Sequence, residues 1–306
     1  MATFVHLILT LSRASNLPTV WTNCIAAWTL NQAVNYEQGW NLVTSLEWGV
    51  LGWVLLGGSL AYSGGCILND AFDQKFDAEF NPNRPVPSGQ ISSIVVWMSG
   101  SFAILLGTLV LLMAAKCATI WVSLLILAII IYDILHKKWS GSVWIMGSCR
   151  TFLWLVAATA GSNIEIHSST LTVSIILGLY VVGISLFARG EARGNSDNKN
   201  ILPVLLLFLP CLYGIYALFE NEISKTNIFL PVLFGLLLLG WKVYRAVQII
   251  RRRKKPADIG AGVSILLASI CLIDGLAICL HFPPVGILCY FGFLFSVILQ
   301  KRFAAT

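Results

Sequence analysis

Charge is what this sequence has least of. Only 11% of its 306 residues are Asp, Glu, Lys or Arg, while 57% are hydrophobic. A soluble domain carries about 25% charged residues, so a single soluble core is excluded and an integral membrane protein is indicated. The eight cysteines contain no Cys-x-x-Cys spacing and mostly lie inside apolar stretches. Neither a disulfide framework nor a thiolate metal site is expected from them. No Lys or Arg precedes the short apolar run Phe4–Leu11, which argues against a cleaved signal peptide. Low-complexity tracts, clear repeats and interdomain linkers are also missing. Residues 1–306 are therefore expected to form one polytopic membrane domain with no separate soluble part.

What fills the chain instead is long apolar runs. Spans are predicted near 17–34, 47–68, 92–114, 117–135, 143–161, 170–188, 201–219, 228–248, 261–281 and 285–300. Each is close to the roughly 20 residues that an α-helix needs to cross a bilayer. The first is interrupted by Thr22 and Asn23 and the last is short, so the expectation is an all-α bundle of nine to ten transmembrane helices. With the N-terminus inside, the inner segments hold fifteen Lys and Arg, and the outer loops hold only Lys116 and Lys225. Cytoplasmic loops carry such an excess, so both termini are expected in the cytoplasm, beneath a bacterial inner or an organellar membrane. The basic run Arg251–Lys255 then reads as a topology signal and implies no nucleic acid partner. Trp40, Trp48, Trp121, Trp139 and Trp144 fall near span ends, as an interfacial aromatic belt requires. Gly57, Ala61 and Gly65 recur every fourth residue in the second span and suit close helix packing.

The chemistry begins where the second span ends. Asn69, Asp70, Asp73 and Asp77 stand there in sequence, and the three acids at i, i+3 and i+7 are expected to share one helical face. Carboxylates so placed repel one another. A cluster of hard oxygen ligands suits Mg²⁺, which binds through one or two carboxylates plus substrate phosphates and neutralises a departing diphosphate.

These residues carry a resemblance. The pattern N-D-x-x-D-x-x-x-D at the inner end of the second span resembles the first signature of the UbiA prenyltransferase superfamily, complete here at Asn69, Asp70, Asp73 and Asp77. Arg84-Pro85-Val86-Pro87-Ser88-Gly89 resembles its R-P-x-P-S-G continuation, and Arg13-Ala14-Ser15-Asn16-Leu17-Pro18-Thr19 its R-x-x-N-x-P-T opening of the first helix. Tyr132 with His136-Lys137-Lys138 resembles its aromatic-then-basic loop. The resemblance implies a helical bundle with a central cavity. It implies Mg²⁺ as cofactor, an isoprenoid diphosphate as donor and a lipophilic or aromatic acceptor, all met among membrane lipids. It makes Asp70, Asp73, Asp77 and Asn69 the catalytic and metal-binding set, with Arg84 and Lys137 on the diphosphate. Protein partners leave no trace in the sequence.

One departure stands out. Where the superfamily places a second acidic motif after the sixth span, this chain reads Phe187-Ala188-Arg189-Gly190-Glu191-Ala192-Arg193. Arg189 or Arg193, beside Glu191, could hold diphosphate directly, since guanidinium matches phosphate oxygens in bidentate geometry. The other reading is a bundle that binds prenyl lipid or exports a metabolite without catalysis. This stretch and Ile273-Asp274-Gly275 resemble the EboC-like subgroup, whose members are linked to export or maturation of small metabolites. Charges within spans normally face the bundle interior. Arg150 either contacts diphosphate or an acidic acceptor in the cavity, or pairs with Asp133 or Asp274 to lock helices. Asn16 and Asn23, seven residues apart on the first helix, are further cavity candidates, as is Asp274.

Overall fold

A computed structural model describes residues 4–33, 47–162, 165–192, 201–220, 226–252 and 257–303. Every regular element among them is helical. In chain order the α-helices are α1 (Phe4–Leu11), α2 (Leu17–Ala33), α3 (Trp48–Phe72), α4 (Gln74–Phe80), α5 (Ser93–Leu109), α6 (Thr119–Leu135) and α7 (Ser142–Ala158). They continue as α8 (Ser168–Ala192), α9 (Leu202–Glu220), α10 (Thr226–Arg251), α11 (Ala257–Ala268), α12 (Ile270–Cys279) and α13 (Pro283–Gln300). Among the described residues seven stretches are long and apolar enough to cross a membrane, and α6 and α7 are shorter apolar helices. With α2, 17 residues long, every expected span has its helix.

Two details differ from the sequence reading. The ninth span is two helices, α11 and α12, meeting at Ser269. The Ser269 hydroxyl donates back to the Ile265 carbonyl at 2.8 Å, a side-chain bond of the kind that often accompanies a bend in a helix. Asn16 lies outside the first long helix, in a 3₁₀ turn over Ala14–Asn16. Pro18 stands in the first turn of α2, where its missing N–H costs nothing and favours a helix start.

The burial pattern is that of a bundle solvated by lipid. Phe102, Leu105, Leu212, Phe219, Leu237 and Phe291 are exposed, while Asn23, Asn31, Thr19 and Asp274 are buried. Polar groups in such a bundle must find partners inside it. Trp48, Trp139 and Trp144 are exposed near helix ends, and Trp40 falls outside the described residues. Helix α2 is central, packing on α3, α7, α12 and α13.

The small-residue stripe serves packing, though on two fronts. A methyl group on Gly65 would meet Ile129 of α6 at 2.8 Å, whereas Gly57 faces Leu111 beyond the end of α5. Across from the stripe, Gly107 packs directly on backbone: an added Cβ would stand 2.8 Å from Ala61 N and 2.9 Å from Gly57 O. Both neighbours are backbone and cannot rotate away. Gly107→Ala is expected to lose about 1–3 kcal/mol, the usual cost of overpacking. Thermal unfolding in detergent checks this, with Gly240→Ala, which has nothing within 4 Å, as the neutral control.

Candidate active site

At one end of the bundle, α3 delivers Asn69 and Asp70 in its last turn and ends at Phe72. Asp73 caps it with its N–H bonded to Asn69 O at 2.9 Å, and α4 starts at Gln74. This joint redirects the acids from the single face that i, i+3, i+7 periodicity predicts. Asp70 and Asp77 converge on one cation: Arg84 Nη1 stands 3.3 Å from Asp70 Oδ1 and 2.7 Å from Asp77 Oδ2. Asp73 turns to the loop between α6 and α7, meeting His136 Nε2 at 3.1 Å and Lys137 Nζ at 3.3 Å. Burial alone would raise the Asp73 pKa. The hydrogen bond with His136, and the charges of His136 and Lys137, outweigh it and hold the carboxyl below its ordinary value.

The loop after α4 explains how Arg84 reaches back. Ser88 N bonds to Arg84 O at 3.0 Å and Gly89 N to Val86 O at 3.1 Å. Gly89 has φ +75°, a conformation that favours glycine. The coil closes on Arg84 and holds it over the acids. Asn81 Nδ2 donates to Asp77 Oδ1 at 3.0 Å and orients the same carboxylate.

Among the described residues no three His, Cys, Asp or Glu side chains stand together as a metal-ligand set. The acids are divided: Asp70 and Asp77 turn to Arg84, and Asp73 to His136 and Lys137. The donor chemistry nevertheless fits Mg²⁺. Two hard carboxylates aim at a single point, which a guanidinium nitrogen holds here, and such oxygens are what this ion selects.

Behind the acids lies a cavity of about 280 Å³ lined mainly by apolar side chains, its polar points including Arg13, Asn16, Tyr62, Asn69, Asp133, Arg150 and Arg189. A shallower hollow of about 450 Å³ opens beside Asp70, Asn81 and Arg84. Arg13 lines both, so it stands where the two adjoin. The sequence pattern alone does not single it out, although it opens the R-x-x-N-x-P-T segment. Its left-handed backbone, φ 48°, is what sets it at that corner.

Arg150 both lines the cavity and ties helices together, though not by the pairs its sequence position suggests. It lines the cavity, and its Nη1 donates to Asn23 Oδ1 at 2.9 Å and its Nη2 to Thr19 Oγ1 at 3.0 Å. Neither direct pair, with Asp133 or with Asp274, is formed. The connection to Asp274 runs through Asn23, whose Nδ2 reaches both Asp274 oxygens at 2.8 and 2.7 Å. Thr22 Oγ1 adds a bond to Asp274 Oδ2 at 2.6 Å. Asn23 and Asp274 are thus enclosed in a network and do not line the cavity, unlike Asn16.

Arg189 is committed elsewhere. Its Nη1 donates to the Trp139 and Ser140 carbonyls at 3.2 and 2.9 Å, and its Nη2 to His136 O at 2.9 Å and Ser142 Oγ at 2.7 Å. Three bonds to the α6–α7 loop and one to the start of α7 make it a positioning residue for His136 and Lys137, at the edge of the cavity it also lines. Its charge is legible in the sequence, but its aim is not. Arg193 lies outside the described residues, as does the side chain of Glu191.

Comparisons with known proteins agree with this architecture. Residues 40–260 match the UbiA prenyltransferase family. A protoheme IX farnesyltransferase of Francisella tularensis subsp. holarctica (strain LVS) is 24% identical over 244 residues, 73% of this chain and 85% of that protein. Another from Bacillus pumilus (strain SAFR-032) is 24% identical over 230 residues, 72% of each. Among solved structures, a digeranylgeranylglyceryl phosphate synthase superposes with a TM-score of 0.59 at 16% identity, covering 92% of this chain and 99% of the other. A UbiA homolog from Aeropyrum pernix K1 gives 0.55 at 11% identity, covering 95% and 100%. A helical bundle with an acid-lined mouth, superposable on these folds along nearly its whole length and matched over most of its sequence, belongs to the UbiA prenyltransferase family.

Proposed function

We propose that this protein transfers a prenyl group from an isoprenoid diphosphate to a lipophilic acceptor, with Mg²⁺, at the cytoplasmic end of its bundle. The observation that carries the reading is the convergence of Asp70 and Asp77 on one point, beside a hollow that shares Arg13 with the apolar cavity. The metal, bound by Asp70 and Asp77 with Asp73 and Asn69 beside them, would supply positive charge to the departing diphosphate. Arg84 and Lys137 bring further charge to the same oxygens, and Arg13 stands where hollow and cavity adjoin. The prenyl tail lies along the apolar wall formed by residues such as Leu125, Leu153 and Leu267. There water is excluded, and an allylic cation survives until the acceptor captures it.

A second reading has its own observation. With Arg189 bound to the α6–α7 loop and the acidic motif of 187–197 absent, the site has one cluster of acids in place of two. A protein that binds prenyl lipid or exports a metabolite without chemistry fits that arrangement. Diphosphate release separates the two. Purified protein given geranyl, farnesyl or geranylgeranyl diphosphate, with a panel of phenolic and quinol acceptors, is expected to release diphosphate with Mg²⁺ and not after chelation. Tight donor binding with no release under any condition would favour the second reading and overturn the first.

A further inference from the structure

Two buried carboxylates face the inside of this bundle, and they are treated differently. Asp274 has both oxygens satisfied by Thr22 and Asn23. Asp133, on α6 and 5% exposed, has only half its share. Its Oδ1 accepts from Asn69 Nδ2 at 3.0 Å, and its Oδ2 is buried with no hydrogen-bond partner among the described residues. Arg13 and His136 act on it electrostatically, but neither donates to that oxygen. A buried polar atom without a partner costs roughly 1–3 kcal/mol, and buried oxygens in folded chains are nearly all paired. Asp133 is also among the polar points of the apolar cavity, in company with Ile129, Met146, Cys149 and Leu153. An unpaired oxygen on a side chain that lines this cavity is placed for a ligand.

We propose that Asp133 is where the acceptor is held, its Oδ2 receiving a hydrogen bond from a hydroxyl or N–H of that molecule. This rests on the reading of the cavity as the prenyl-transfer chamber, and it narrows the acceptor class to alcohols, phenols and amines on an apolar body. With Asp133 ionised, an acceptor offering only carbonyl or ether oxygens would set two acceptor atoms against each other. Asn69 has two duties in this scheme. It opens the acidic segment that faces the donor, and its amide fixes the carboxylate that faces the acceptor. The donor and acceptor sites are therefore joined by one hydrogen bond. Sites that hydrogen-bond a ligand's hydroxyl reject analogues lacking it far more strongly than apolar pockets discriminate by size.

Asp133→Asn provides the test, since an amide keeps Oδ1 for Asn69 and sets an N–H₂ where Oδ2 was. The probes are naphthol and its methyl ether, bound at equilibrium to full-length protein in detergent and corrected for partition into protein-free micelles. Wild-type protein is expected to bind naphthol at least about tenfold more tightly than the ether, a difference of about 1.4 kcal/mol. The variant is expected to bring the ratio to about one or below. Equal ratios in the two proteins, including no binding of either probe, overturn the proposal. Wild-type protein alone decides the matter where the variant does not fold, because a ratio near one there refutes donor recognition. Diphosphate release is not the readout. Selective naphthol binding in a protein that releases no diphosphate would sink the transfer reading and leave this one standing.

Discussion

Asp77→Asn is expected to reduce magnesium-dependent diphosphate release by at least about a hundredfold, or roughly 2.7 kcal/mol of barrier. The substitution keeps the shape of the side chain. It removes a charge from a residue that is 1% exposed and that anchors both Arg84, at 2.7 Å, and Asn81, at 3.0 Å. Two things are lost together: half of the carboxylate pair suited to a divalent cation, and the clamp that places Arg84 over the leaving group. Losing an outer partner of a metal site alone typically costs 10- to 100-fold, and here a proposed ligand goes too. Donor affinity should fall less than turnover, because the apolar tail is held by the cavity wall. The check is turnover and donor binding measured on the same preparation, with the thermal midpoint as evidence of folding. Wild-type turnover in Asp77→Asn would remove the acids from the mechanism.

The second large effect is on stability. Arg150→Met is expected to cost about 3–5 kcal/mol, the penalty for leaving a buried charge without compensation. Asp274 would keep Thr22 and Asn23 but lose the cation that Asn23 connects it to. Arg150→Met combined with Asp274→Leu is expected to recover part of the loss, since both charges go together, while Asn23 is left with neither of its partners. Residues in one network show interaction energies of this kind in double-mutant cycles. Thermal unfolding of the two single variants and the double variant in detergent checks it. Additive losses would mean that Arg150 and Asp274 act independently, and the network would be geometry without energy.

Much of the architecture is legible in the amino-acid sequence. Hydropathy locates every span, because a bilayer demands about 20 apolar residues in a row and imposes little else. What it misses is local. The break at Ser269 leaves no mark on average hydropathy, since one hydroxyl does not make the helix polar. Spacing finds the acids, but a periodicity argument assumes an unbroken helix, and the joint at Asp73 divides them between Arg84 and His136. Arg189 shows the same limit from the side of charge. Composition reveals a guanidinium after the sixth span, while only tertiary contact reveals that carbonyls at 136, 139 and 140 claim it. Asp133 is visible as a charge inside a span, but which of its oxygens lacks a partner is a property of packing alone.

The bond between Thr22 and Asp274 joins positions 252 residues apart, which bears on how the chain is made. A translocon releases spans in the order of their synthesis. The stretch Asp258–Cys279, the most deeply buried of the seven long spans, carries Asp274, whose oxygens are answered by Thr22 and Asn23 of the first long helix. Arg150 likewise bonds to that first helix, from α7. Helix α2 must therefore stay accessible while α3 to α11 are laid down, and the bundle is sealed from its beginning only when its end arrives. Until then the polar side chains of α2 have Arg150 to answer them but not Asp274, and completion of the last helices is what turns a row of inserted segments into a closed vessel.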